Sequence, residues 1–195
     1  MRKMLAAMLA SSLTVMQAAA GDGTAWRAGA YSFSDEKGGF RITSVRGKGV
    51  LDDPIIITQE LNSASPVTLV IRTTKPIRPF DSADMFANGN LRLRLETLNN
   101  SGQAWVEFEF ELQEILDQAS VYGDGLSFDQ RREDARHIVS DSFARFDRNF
   151  EPYDRLRFIE GRIDPLKIGS FEFLITDFTP RRTFYLVQDP RIPSS

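Results

Sequence analysis

Leu91, Leu93 and Leu95 alternate with Arg92, Arg94 and Glu96. Shortly afterwards Val106, Phe108, Phe110 and Leu112 alternate with Glu107, Glu109 and Glu111. This double alternation restricts the fold more than any other feature of the chain. A β-strand sends successive side chains to opposite faces, so each run makes a strand with one buried face. A helix would scatter the same leucines and phenylalanines around its circumference. Asn99-Asn100-Ser101-Gly102, between the runs, is turn chemistry, and the two strands are expected to pair as a hairpin. With Leu98 facing Gln103, Leu93 falls opposite Phe108 and Leu95 opposite Val106. Arg94 then faces Glu107 and Arg92 faces Glu109, and such cross-strand pairs contribute roughly 0.2–1 kcal/mol each. A slip of one residue would bury the charges, so the register is well specified.

Further strand signals lie on both sides. Phe40 to Val45 follows the Gly38-Gly39 turn, Pro54 opens the β-branched run Ile55-Ile56-Ile57, and Pro66 opens 67–73. Residues 75–90, with Pro76, Pro79, Asp81, Asp84 and Gly89, read as a loop. Leu156 and Phe158, the run 171–176 and the run 183–187 supply strands in the last third. About eight strands at these spacings predict an all-β fold, a two-sheet antiparallel sandwich of Greek-key or jelly-roll type. One stretch departs from period two. The apolar residues Phe128, Ala135, Ile138, Val139, Phe143, Phe146 and Phe150 fit helical spacing better. Ser127 and Gln130 would form a capping box, so a short helix is expected around 128–147.

Residues 1–20 read as a secretory signal peptide. Arg2 and Lys3 precede an apolar stretch over 4–16, and Ala18-Ala19-Ala20 offers a small-residue cleavage site before Gly21. The apolar stretch is shorter than the roughly 20 residues of a spanning helix. Cleavage would leave residues 21–195 as one β-sandwich domain, placed in the periplasm or outside the cell. The sequence contains no cysteine. A lipid-anchored cysteine, thiol catalysis and thiolate zinc sites are thereby excluded. Such an exported domain is held by core packing rather than disulfides, which suits a bacterial envelope. The 15 phenylalanines provide for that packing, since each large aromatic buries on the order of 150–250 Å². The net charge of −3 becomes −5 once Arg2 and Lys3 are removed. That balance argues against nucleic acid, which needs a concentrated basic footprint, and against insertion into an anionic membrane.

Catalytic constellations are sparse. His137 is the one histidine. A serine-hydrolase triad would need it as base, and the sequence has no Gly-x-Ser-x-Gly elbow. Within Asp134-Ala135-Arg136-His137-Ile138 it reads as a surface residue of the helical segment. Glu107, Glu109 and Glu111 share one strand face with neighbours ~7 Å apart. That separation suits a carboxylate-dependent glycoside hydrolase, yet the cross-strand arginines account for these glutamates without catalysis. No cofactor is expected, with calcium the one candidate ion. Asp81, Asp84 and Asn88 are the candidate ligands, and Asp117, Asp124 and Asp129 form a second set. Neither set matches a calcium-loop spacing, and Asp and Asn are also ordinary turn residues. Trp105 falls on the charged face in the hairpin register, out of phase with Phe108 and Phe110. An outward tryptophan is a candidate platform for stacking sugars. Trp26 and Tyr31 are expected to dock the first strand. Asn99-Asn100-Ser101 matches a glycosylation sequon in an exposed turn.

Asn99-Asn100-Ser101-Gly102 followed by Trp105, Phe108, Phe110 and Leu112 resembles a recurrent stretch of secreted bacterial β-sandwich proteins associated with exosortase-type sorting tails. The segments 150–156 and 171–177 are similar in layout. The resemblance implies a β-sandwich and an exported location, and no activity. The tail itself is missing from this sequence, so no anchoring by that route is implied. Together these readings lead to the expectation of a non-catalytic protein that binds a glycan or a protein outside the cytosol.

Overall fold

The alternating runs are strands, as their period requires. The computed structural model describes residues 25–83, 85–129 and 137–193. The segment read as a signal peptide lies outside the described residues. Thirteen strands form among the described residues, against the eight read from the sequence. They are β1 (Trp26–Ala28), β2 (Tyr31–Ser34), β3 (Phe40–Arg46), β4 (Ile55–Leu61), β5 (Val67–Thr73), β6 (Asn90–Asn99) and β7 (Glu107–Gln113). After these come β8 (Leu126–Phe128), β9 (Val139–Ser140), β10 (Phe143–Asp147), β11 (Arg155–Gly161), β12 (Ile168–Asp177) and β13 (Thr183–Arg191). Each strand expected from sequence is present. The five additions are β1, β2, β8, β9 and β10, all of five residues or fewer.

The strands build a two-sheet sandwich. Sheet A runs β1-β2-β5-β13-β7-β11-β10, and sheet B runs β3-β4-β6-β12-β8 with β9 also on β12. Pairing is antiparallel except between β4 and β6, which are parallel. A parallel pair needs a crossover connection, and β5 supplies it from the opposite sheet. Among consecutive strands only β1–β2, β3–β4 and β10–β11 pair with each other. β8 and β9 both lie against β12 in sheet B, and every other connection passes from sheet to sheet.

The expected hairpin of β6 and β7 is therefore corrected. β6 pairs with β12 and β4 in sheet B, and β7 pairs with β13 and β11 in sheet A. The linking residues arch over the end of the sandwich. Leu91, Leu93 and Leu95 bury their face in the shared core opposite sheet A, instead of beside Phe108 and Phe110. Alternation identifies the buried face and is satisfied equally by a neighbour in the sheet or a strand across the core. The partners of the glutamates change accordingly. Arg157 faces Glu109 and Arg155 faces Glu111 across β11, while Arg191 faces Glu107 across β13. Arg94 instead faces Glu172 on β12.

The helix expected around 128–147 is corrected where it can be seen. Residues 130–136 lie outside the described residues, and the stretch after them forms β9 and β10. Phe143 packs on Phe158 and Phe171, with ring centroids 6.4 and 5.8 Å away. Its register partner is Gly161, where a Cβ would lie 2.0 Å from Ser142 O and 2.7 Å from the Phe143 ring. Pairing with β11 thus overrides a local spacing that suited a helix.

An aromatic cluster fills the middle of the sandwich. Phe171 lies 4.6 Å from Phe108, 5.2 Å from Phe110 and 5.1 Å from Phe158. Phe173 joins Phe110 to Phe128 at 5.0 and 5.3 Å. Each such pair adds about 0.5–1.5 kcal/mol beyond the area buried. A polar link also crosses the core. Gln59 on β4 donates Nε2 to Gln188 Oε1 on β13 at 2.5 Å, and Gln188 returns the bond at 3.1 Å. Gln59 Nε2 also lies 2.9 Å from Thr97 Oγ1.

Candidate functional site

β6 and β12 lie side by side in sheet B, and their outward residues form the floor of a groove of about 410 Å³. Asn90 and Arg92 come from β6, and Leu174 and Thr176 from β12. The loop carrying Gly49, Val50 and Leu51 makes one rim, and Ala83, Asn88, Asp129 and His137 close the other sides. The Arg92 N–H donates to Gly49 O at 3.0 Å, which ties that rim to the sheet.

Arg92 organises the groove. Its side chain is only 6% exposed. One guanidinium N–H donates to His137 O at 3.0 Å, and the other Nη lies 2.7 Å from His137 Nδ1. Nε sits 3.7 Å from Glu172 Oε1. A guanidinium has no acceptor atom, so Nδ1 must accept, and the ring proton sits on Nε2. His137 Nε2–H and the Asn90 side-chain amide have no protein partner among the described residues, so both are free to bond a ligand. Leu51 is exposed at 63% and, with Val50, Ala83 and Leu174, adds an apolar wall. The charge of Arg92 is balanced by Glu172. The groove thus presents apolar surface, a ring N–H and an amide, with the Asp129 carboxylate at its side.

His137 is half-exposed at the groove, and the sequence reading of a surface residue lacked its bonds to Arg92. The arrangement also lacks the geometry of a triad. There an orienting group accepts from Nδ1–H, leaving Nε2 to take the proton of a nucleophile. Here Arg92 donates to Nδ1 and Nε2 already carries its proton.

The other sequence-predicted residues lie elsewhere. Trp105 is 0% exposed, which corrects the outward platform. It pairs with Ile163, packs edge-on against Phe108 at 5.5 Å, and donates Nε1–H to Ser101 Oγ at 3.0 Å. A fully enclosed indole offers no face to a sugar. The sequon Asn99 is likewise buried, with its amide bonded to Gln103 O and Ile163 O at 2.8 and 2.9 Å. Glu109 is held by Arg157 at 2.6 Å and by Arg191 at 3.4 Å, and Glu111 by Arg155 at 2.6 Å. Of the calcium candidates, Asp84 lies outside the described residues. Asn88 donates Nδ2–H to Asp81 O at 2.8 Å and accepts from Asn90 N–H at 3.0 Å, so both ends of its amide serve the loop. Asp124 caps its own turn, accepting from Ser120, Val121 and Leu126. Among the described residues no three Asp, Glu or His side chains converge in a way that could hold a metal.

Two buried carboxyls and one half-buried one are electrostatically unusual. Burial pushes the carboxyls of Asp154, Asp177 and Asp189 above the usual range. Asp124 adds repulsion at Asp154, Glu114 at Asp177, and Glu109 at Asp189. Hydrogen bonds from Ser127 to Asp154 and from Thr179 N–H to Asp177 offset part of the effect. Sequence reading missed the groove because its residues are outward-facing polar positions of two strands distant in the chain. The one available signal was Arg92 and His137 as isolated features, with nothing to join them. No protein-family model, curated protein or solved structure matches this chain.

Proposed function

We propose that this is an exported, non-catalytic β-sandwich protein that binds a ligand in the groove over β6 and β12. The ligand would carry an apolar face against Leu51 and Leu174, and an amide or hydroxyl for Asn90 and His137. The observation that carries the reading is the state of Arg92 and His137. The Arg92 charge and the Nδ1 lone pair are spent on Glu172 and on each other, which presets His137 Nε2–H beside the Asn90 amide in a surface suited to binding. Export rests on the character of residues 1–20. A location in the bacterial envelope or outside the cell makes a glycan or another protein the natural source of such a ligand.

A ligand-observed NMR screen of neutral amide- and hydroxyl-bearing fragments tests the reading. Hits are expected for the native protein, with at least tenfold weakening in Asn90→Ala and in Leu51→Asp. Hits that bind both variants as well as the native protein would place the site elsewhere. The competing hydrolase reading is tested with glycosidase and esterase substrates on Glu107→Gln and Glu109→Gln. Turnover that disappears in either variant would displace the binding proposal.

A further inference from the structure

We propose that a second pocket, beside β8, binds one residue of a neutral saccharide. It lies where the edge of sheet B meets the turn leading into β11, and its volume is about 110 Å³. Tyr122 and Tyr153 flank it, with Ser127 and Asp154 at its base.

Tyr122 is exposed at 72% and Tyr153 at 46%, an unusual outlay of large rings on this surface. They are held close together. Val121 pairs with Tyr153, and the Tyr122 N–H donates to Pro152 O at 2.8 Å. The Arg155 guanidinium lies 5.2 Å from the centre of the Tyr153 ring and is itself fixed by Glu111. Tyr153 is thereby braced on one face. Neither phenol hydroxyl has a protein partner among the described residues. Aromatic rings with a polar tip combine apolar contact with hydrogen bonding, which is what the C–H face and rim hydroxyls of a sugar ring require.

The rim of the pocket supplies an acceptor, the carboxylate of Glu151, which has no protein partner among the described residues. Asp154 is more than nine-tenths buried, and its Oδ1 accepts from Ser127 Oγ–H at 2.6 Å. Its Oδ2 has no hydrogen-bond partner. Oδ2 is itself enclosed, so Asp154 shapes the floor, and a ligand hydroxyl is met by Glu151 and the two phenols. Charge selects against ionic ligands. Arg155 is engaged by Glu111, and Arg148 donates to Asp129 O at 3.3 Å, so neither is spare for an anion. A cation finds no convergent set of carboxylates among the described residues. A neutral polyol satisfies the whole set.

The test is an array of neutral hexose and N-acetylhexosamine oligosaccharides, probed with the full protein in the presence of EDTA. Binding is expected, with at least tenfold loss in Tyr122→Ala and in Tyr153→Ala. Both rings are exposed enough to be removed without loss of fold, and an unchanged thermal melt verifies this. Glu151→Ala is expected to weaken the same interaction, and Asn90→Ala to leave it unchanged. No binding to any neutral glycan, or binding indifferent to both tyrosine variants, overturns the proposal. Binding abolished by Asn90→Ala alone would instead assign the sugar to the groove over β6 and β12. Loss of binding in EDTA would show a metal-dependent site and also refute it.

Discussion

Trp105 shows how far a single side chain depends on its surroundings. Its place in the alternation sets it on the charged face, yet the chain has already left the ladder there and turned into the end of the sandwich. The indole closes the core beside Phe108, and its N–H finds Ser101. Trp105→Ala is expected to lower stability by about 3–5 kcal/mol, read as a shifted urea midpoint. It should act on any ligand only through that loss. The buried acids give a second prediction at this scale. A carboxyl raised by folding binds its proton more tightly in the folded state, so its ionisation opposes folding. For Asp154, Asp177 and Asp189 that opposition is full above their raised values and fades as pH falls toward about 4. Glu36 and Asp141 behave oppositely. The Arg72 hydrogen bond holds Glu36 below the usual range. For Asp141, burial pushes the carboxyl up, but hydrogen bonds from Ser170 N–H and Ser142 outweigh it, and it too lies low. Their contribution stands above about pH 4 and is lost below it. Stability is thus expected to rise from pH 7 to a maximum near pH 4–5, then fall. Asp154→Asn should flatten the rise, and a urea midpoint that falls steadily from pH 7 to pH 5 would contradict the assignment.

At the scale of elements, strand pairing decides what local pattern leaves open. β10 exists because β11 offers it a ladder and Gly161 offers it room. Gly161→Ala places a methyl against Ser142 O and the Phe143 ring, and is expected to cost about 1–3 kcal/mol. Thermal melts of the variant test this. The link between Gln59 and Gln188 joins β4 to β13 across the core, where apolar residues otherwise meet. Gln188→Leu leaves the Gln59 amide short of partners, a loss of roughly 1–3 kcal/mol. The double variant Gln59→Leu/Gln188→Leu is expected to lose less than the sum of the two single changes. Additive losses in a double-mutant cycle would show that the two amides do not act as a pair. The short strands β1, β2, β8, β9 and β10 were not legible for a related reason. Two to five residues carry too little alternation to read, and they become strands only because their neighbours present free edges.

For the whole molecule, both sheets share one hydrophobic cluster, and most connections pass between the sheets. Neither sheet can therefore separate without exposing the phenylalanines of the other. A single unfolding transition is expected, with tryptophan fluorescence and far-UV circular dichroism reporting the same midpoint in urea. Midpoints that differ between the probes would show that parts of the sandwich unfold separately.

The sequence by itself determined the all-β class and the eight longer strands. It also determined the inward faces of those strands, because period two and turn chemistry are local properties. The tertiary structure decided which strands are neighbours. That choice turned an expected hairpin into an arch, enclosed Trp105 and Asn99, and changed the partners of Glu107 and Glu109. It also assembled Arg92, His137, Glu172 and Asn90 into one groove, and Tyr122 with Tyr153 around another pocket. The physical reason is that burying a face is a requirement each strand carries alone. The partner that buries it is settled only when every strand competes for the same core.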